Sequence, residues 1–180
     1  NKKFNITDIS SKVVSRNPSG PFTTSTLQQV ASSRLGFGAS RTMQIAQRLY
    51  QGIEIDGETI GLITYMRTDG TNLSVDAISD FRDFLKNNYG NDYLPEKPLN
   101  YSGKKAKNAQ EAHEAIRPTD ISRTPDSLKK YLSSDQQKLY NLIWSRALSS
   151  QMETAKFDRS TITITSKDGD TICKTSGSVL

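Results

Sequence analysis

Cysteine, histidine and tryptophan each occur once in this 180-residue sequence, and each scarcity removes a class of explanation. Cys173 alone cannot close an intrachain disulfide, which fits a reducing cytoplasm. His113 alone cannot supply clustered imidazoles for a metal, and His113-Glu114-Ala115-Ile116-Arg117 lacks the second histidine of a zinc-protease helix. No apolar run is long enough to cross a bilayer, and no charged segment followed by an apolar one opens the chain. Repeats and low-complexity tracts are also missing. The first residue is not methionine, and strand-like patterns stand at both ends, so the sequence reads as an internal piece of something longer.

What is present is a modest excess of positive charge. The 24 Lys and Arg outnumber 19 Asp and Glu, giving a formal net charge of +5 that favours an anionic partner without identifying it. The segment Gly61-Leu62-Ile63-Thr64-Tyr65-Met66-Arg67-Thr68-Asp69-Gly70 gives the charge a chemical use. An apolar, β-prone run ends there in a tyrosine and an arginine two residues apart, which share one face of an extended chain. An ordinary phenol, with a pKa of about 10, is ionised to only about one part in a thousand near pH 7. As a nucleophile it needs a cation or a proton acceptor nearby, and a guanidinium fork is also suited to a phosphate oxygen. Tyr65 and Arg67 are therefore candidate catalytic residues for attack on a phosphodiester.

Around this segment the pattern predicts helices. Ser25 with Gln28 suggests a capping box for a helix that runs to Gly36. After Gly36-Phe37-Gly38, Ser40 is expected to cap a second helix, with Met43, Ala46, Leu49 and Tyr50 buried, Arg41 outward and Gly52 ending it. Asp56-Gly57 between two short apolar runs predicts a hairpin. A hairpin after a helix-turn-helix reads as a winged module. Ser74 is expected to cap a helix that buries Ile78, Phe81, Phe84 and Leu85. Tyr89 to Asn108 reads as a long surface connection with the basic patch Lys104-Lys105-Ala106-Lys107. Thr124-Pro125 should begin a short helix through Leu132, and Ser134 with Gln137 a longer one with Trp144 in the core. Thr161 to Thr165 alternates like a strand, turns at Asp168-Gly169 and returns, and the N-terminal strand could pair with it. The expected fold is mainly α with small β elements: a helical domain over residues 21–154, inserted in a β element made from residues 1–20 and 155–180.

Several of these words also occur together elsewhere. Phe22-Thr23-Thr24-Ser25-Thr26-Leu27-Gln28-Gln29, Arg34-Leu35-Gly36-Phe37-Gly38, Ala46-Gln47-Arg48-Leu49-Tyr50, the Tyr65 segment, Glu111-Ala112-His113-Glu114-Ala115-Ile116-Arg117-Pro118 and Lys138-Leu139-Tyr140-Asn141-Leu142-Ile143-Trp144 follow the order seen in bacterial type IA DNA topoisomerases. The sequence resembles that family from about Pro21 to Phe157, departing at Gly70, where the family commonly has serine. The resemblance implies that Tyr65 attacks DNA and becomes joined to its 5′ phosphate. It implies that His113 and Arg117, read as four apart on one helix face, contact the DNA backbone, with Arg34 and Arg41 as further DNA-binding candidates. It also implies relaxation of negatively supercoiled DNA through single-strand passage without ATP, by a cytoplasmic, nucleoid-associated enzyme expected to be a monomer. Mg²⁺ would be bound by an acidic domain outside these residues, with no metal site within them, so the chain alone is expected to be inactive.

Two rivals remain at this stage. A winged helix-turn-helix regulator explains the basic charge and the Arg41 helix but gives the Tyr65 segment no task. Relaxase-like and recombinase-like tyrosine enzymes share the covalent chemistry, but one histidine disfavours both.

Overall fold

The computed structural model describes residues 3–101 and 113–180, which form two compact units. The basic patch at Lys104–Lys107 and the first part of the Glu111 motif lie outside the described residues.

One unit takes residues 1–18 and 154–180 and contains a three-stranded antiparallel sheet. Its strands are β1 (Phe4–Arg16), β4 (Ala155–Ser166) and β5 (Ile172–Val179), in the order β1-β4-β5. Ile6 faces Ile164 and Ile9 faces Ile162 across β1 and β4, with a register shift between Ile6 and Asp8. The sheet is larger than the expected small β element: β1 has 13 residues and β4 has 12. Serine, threonine and charged residues outside Thr161–Thr165 interrupt the apolar alternation, so the sequence understates the ladder.

The other unit, residues 19–153, contains α1 (Thr24–Leu35), α2 (Ala39–Gln51), the hairpin β2 (Ile53–Ile55) and β3 (Glu58–Ile60), α3 (Val75–Asn88) and α4 (Ser134–Ser149). The described residues are therefore mixed α/β, with four α-helices and two small sheets. α1 starts earlier than the sequence suggests. Thr23 is its N-cap, and Thr23 and Thr26 form the reciprocal capping box that was expected of Ser25 and Gln28. Gly36 ends it in the left-handed region at φ 69°.

Gly38, not Ser40, precedes α2, and the buried stripe is Thr42, Ile45, Ala46 and Leu49. Met43 and Tyr50 are therefore more exposed than expected. The Thr42 hydroxyl bonds back to the Gly38 carbonyl at 3.0 Å, which lets a polar residue join the stripe. In the hairpin, Asp56 and Gly57 both have positive φ, 51° and 91°, as a type I′ turn requires.

Ser74 caps α3 through the Ala77 amide, and Phe81 and Leu85 are buried. Ser133 with Gln136 caps α4, one residue before the expected pair. Leu139, Tyr140, Ile143, Trp144, Ala147 and Leu148 form its buried face. Trp144 is core: its indole N–H donates to the Ile121 carbonyl, and Phe84 meets it edge to face at 5.6 Å.

Two connections differ from expectation. Residues 125–131 form turns instead of a helix, and the Ser127 hydroxyl bonds the Thr124 carbonyl at 2.8 Å, competing with regular helical pairing. The described part of the Tyr89–Asn108 connection is tied to the core. Gln151, fully buried, exchanges hydrogen bonds with the Leu99 backbone, and the Tyr101 hydroxyl donates to the Ser150 carbonyl.

Candidate active site

Three segments meet around Tyr65 without forming a named strand. Residues 113–118 run extended, not helical, and make isolated bridges from Ile116 to Phe22, Pro118 to Ile63 and Glu114 to Asn72. The proline at 118 disfavours helical backbone at Arg117, and the backbone donors of this segment go to neighbouring segments: Ala115 to Asn72 and Ile116 to Phe22.

The Tyr65 loop is pinned on both sides by a threonine. On one side, the Thr24 hydroxyl donates to the Met66 carbonyl at 2.7 Å and accepts the Thr68 amide at 2.8 Å. On the other, the Thr64 hydroxyl donates to the Ala115 carbonyl at 2.7 Å and accepts the Arg117 amide at 3.0 Å. Between these anchors Met66 and Thr68 point inward and Tyr65, Arg67 and Asp69 outward. The expected period of two therefore survives although no sheet ladder supports it. Tyr65 is 49% exposed, and its ring meets that of Tyr50 edge to face at 5.3 Å.

Arg67 and His113 line one open hollow of about 530 Å³, with Thr23, Thr24, Ser25, Thr68 and Asp69. It lies at the start of α1, whose first turn contains no acidic residue, so the partial positive charge of that end is not offset within the helix. Arg117 is not part of this lining. Its side chain is 14% exposed; Nε donates to Glu114 at 2.7 Å and Nη1 to the Pro118 carbonyl at 2.9 Å.

Glu114 pairs with Arg117, not with His113. It also accepts the Ser74 amide at the start of α3. Burial pushes its carboxyl pKa up, but the hydrogen bonds from Arg117 and Ser74, together with the Arg117 charge, outweigh burial and leave it below the ordinary glutamate value. Arg41 is exposed but pairs with Asp135 and stacks on Phe37, while Arg34 lies exposed in the last turn of α1. The anchors Thr24 and Thr64 carry no charge or rare spacing, and the sequence pattern did not single them out.

No group of three or more His, Cys, Asp or Glu residues suited to a metal occurs among the described residues. The sequence does contain one Asp-x-Asp, Asp168-Gly169-Asp170, and it serves a turn: Asp168 Oδ1 accepts from the Ser166 hydroxyl and the Asp170 amide. No helix of the described residues is long and apolar enough to cross a membrane.

A family model described as DNA topoisomerase matches residues 1–180. DNA topoisomerase 1 of Rickettsia prowazekii is 54% identical over 179 residues, covering 99% of this chain and 23% of that protein. DNA topoisomerase 1 of Xylella fastidiosa is 54% identical over 151 residues, covering 83% of this chain and 18% of that protein. The structure of full-length topoisomerase I from Thermotoga maritima matches with a TM-score of 0.78 at 40% identity, covering 97% of this chain and 27% of that one. The chain thus covers 18–27% of the length of these relatives, and on this combined evidence it belongs to the type IA DNA topoisomerase family.

Proposed function

We propose that Tyr65 is the nucleophile through which the full-length protein cleaves and rejoins one DNA strand. The observation that supports this most is an exposed tyrosine on a loop fixed by Thr24 and Thr64, with Arg67 on the same outward side. A nucleophile held by its backbone loses less freedom on reaching a phosphate than one on a loose loop. The Tyr65 oxygen forms a bond to phosphorus, the bond from phosphorus to the 3′ oxygen breaks, and the phenol's proton balances the one taken by the leaving 3′ hydroxyl. One phosphodiester replaces another, so reversal reseals the strand without ATP. Arg67 offsets charge on the phosphate oxygens in the transition state. His113, in the same hollow, contacts an adjacent backbone phosphate.

Arg34 and Arg41 extend the positive surface, and Arg117, with Nε on Glu114 and one Nη1 hydrogen on the Pro118 carbonyl, keeps its other three N–H donors to offer. We read α1, α2 and the β2–β3 hairpin as a winged helix-turn-helix module, and residues 21–154 as the catalytic tyrosine domain. The substrates are single-stranded and negatively supercoiled DNA, with the enzyme acting as a monomer in the nucleoid-containing cytoplasm. By resemblance to the family, any Mg²⁺ is assigned to acidic residues outside this chain, and the 180 residues alone should not cleave.

The test uses the full-length protein with a labelled oligonucleotide. Wild type should yield a covalent adduct whose modified peptide contains Tyr65, and Tyr65→Phe should abolish adduct and relaxation while sparing most DNA binding. Retained relaxation by Tyr65→Phe, or an adduct on another residue, would falsify the assignment. Tight binding to one duplex sequence with no adduct would instead favour a winged-helix regulator.

A further inference from the structure

The Tyr65 loop and the His113 segment cross at Gly70. A Cβ built on Gly70 would lie 1.7 Å from the carbonyl oxygen of His113 and 2.7 Å from its carbonyl carbon. The φ of Gly70 is not in the left-handed region, so the requirement for glycine here arises from the crossing backbone and not from backbone strain. Nor is the obstacle a flexible side chain that could swing aside. The His113 carbonyl occupies the place of the side chain that a serine would carry, so this path of the segment and a serine at position 70 exclude each other.

The crossing is connected to the site from both directions. The Gly70 amide donates to the Thr68 hydroxyl at 2.9 Å, and the Thr68 amide donates to Thr24 at the start of α1. Beyond His113, Glu114 accepts the Ser74 amide and Ala115 donates to Asn72. With its next two residues held, His113 is placed by how closely its own carbonyl approaches Gly70. His113 borders the hollow that Arg67 lines.

We propose that Gly70 is a positioning residue: having no side chain, it lets the His113 backbone cross the Tyr65 loop in contact, which brings His113 into the phosphate hollow beside Arg67. Gly70 itself touches no substrate. With the segment on this path, a side chain at position 70 displaces the His113 carbonyl and shifts His113 relative to the hollow, so relatives with serine there must carry the segment on another path. The proposal rests on the reading of this hollow as a phosphate site, and it makes Gly70 and His113 act as one unit.

The experiment is a double-mutant cycle in the full-length protein with a single-stranded oligothymidylate probe, comparing wild type, Gly70→Ala, His113→Ala and the double variant. Gly70→Ala and His113→Ala should each weaken binding about tenfold, the scale of one hydrogen bond to a charged group, and the double variant should be no weaker than either. If the two losses multiply, or if Gly70→Ala binds like wild type, the proposal is overturned.

A readout independent of cleavage comes from the His113 imidazole C–H signal of the isotope-labelled full-length protein, assigned as the signal that His113→Ala removes. Oligothymidylate should shift that signal in wild type and leave it nearly unmoved in Gly70→Ala. Thr68→Ser keeps the hydroxyl that anchors Gly70 and should retain the wild-type shift. If wild type forms no Tyr65 adduct yet shows this coupling, the cleavage reading fails and the positioning proposal stands; a signal that shifts equally in wild type and Gly70→Ala overturns the positioning alone.

Discussion

The ring of Tyr50 meets the ring of Tyr65 edge to face, with centroids 5.3 Å apart and planes inclined at 64°. Tyr50 lies near the end of α2, whose backbone is also joined to the Tyr65 loop by the Leu62 amide donating to the Leu49 carbonyl at 2.8 Å. The helix thus supports both the loop and the orientation of the nucleophile's ring. An edge-to-face pair is worth about 0.5–1.5 kcal/mol beyond its burial. Tyr50→Ala should accordingly reduce adduct formation by about two- to tenfold at saturating DNA, and Tyr50→Phe should keep most of it. Rates measured with a labelled oligonucleotide check this, and equal rates for Tyr50→Ala and wild type would remove Tyr50 from the site.

Thr24 makes a second case, because its hydroxyl serves as donor and acceptor at once. Thr24→Val keeps the shape but leaves the Met66 carbonyl and the Thr68 amide without that partner. The cost should be about 1–3 kcal/mol in unfolding free energy, with Thr24→Ser losing much less. Urea denaturation of the three proteins decides the matter. If Thr24→Val matches wild type, the hydroxyl does not hold the loop.

Glu114 should make stability depend on acid in a defined direction. Its carboxyl pKa is lowered in the fold, so its contribution is fully present above the ordinary glutamate value of about 4.3 and is lost as pH falls through the folded value below it. Comparing wild type with Glu114→Gln isolates this group from other carboxylates. The difference in urea midpoint should be constant above about pH 5.5 and shrink on acidification below about pH 4. A difference that grows on acidification would mean that burial dominates and that the Arg117 and Ser74 contacts do not.

Much of this architecture could be read from residue patterns because its signals are local. The hairpin at Asp56-Gly57, the helix end at Gly36, the Ser74 cap and the place of Trp144 each depend on neighbours a few residues away. The outward pair Tyr65 and Arg67 also follows from alternation alone. What escaped depends on distant backbone. The 113–118 segment has a helix-like composition, yet its donors pair with residues 22 and 72, so tertiary hydrogen bonding overrode local preference. Thr24 and Thr64 gain their roles only because residues about 40 to 50 positions away pass beside their hydroxyls. The contact between Gly70 and His113 likewise has no local signature.

The arginines singled out in the sequence should separate by how DNA binding responds to salt. Each phosphate contact by a free cation to a single strand contributes about 0.7 to the slope of log affinity against log salt. Arg67→Ala should flatten the slope by about that amount, because Arg67 lines the open hollow and has no ion pair among the described residues. Arg41→Ala should change it less, since Asp135 already faces that guanidinium. Arg117→Ala should show the smallest change in slope and the largest loss of stability, because removing it leaves the partly buried Glu114 without its cation. Affinities at four or five salt concentrations, with urea midpoints for the same variants, test the ordering. If Arg117→Ala flattens the slope as much as Arg67→Ala and leaves stability unchanged, then Arg117 leaves Glu114 to grip a phosphate directly, and the 113–118 segment must rearrange when DNA binds.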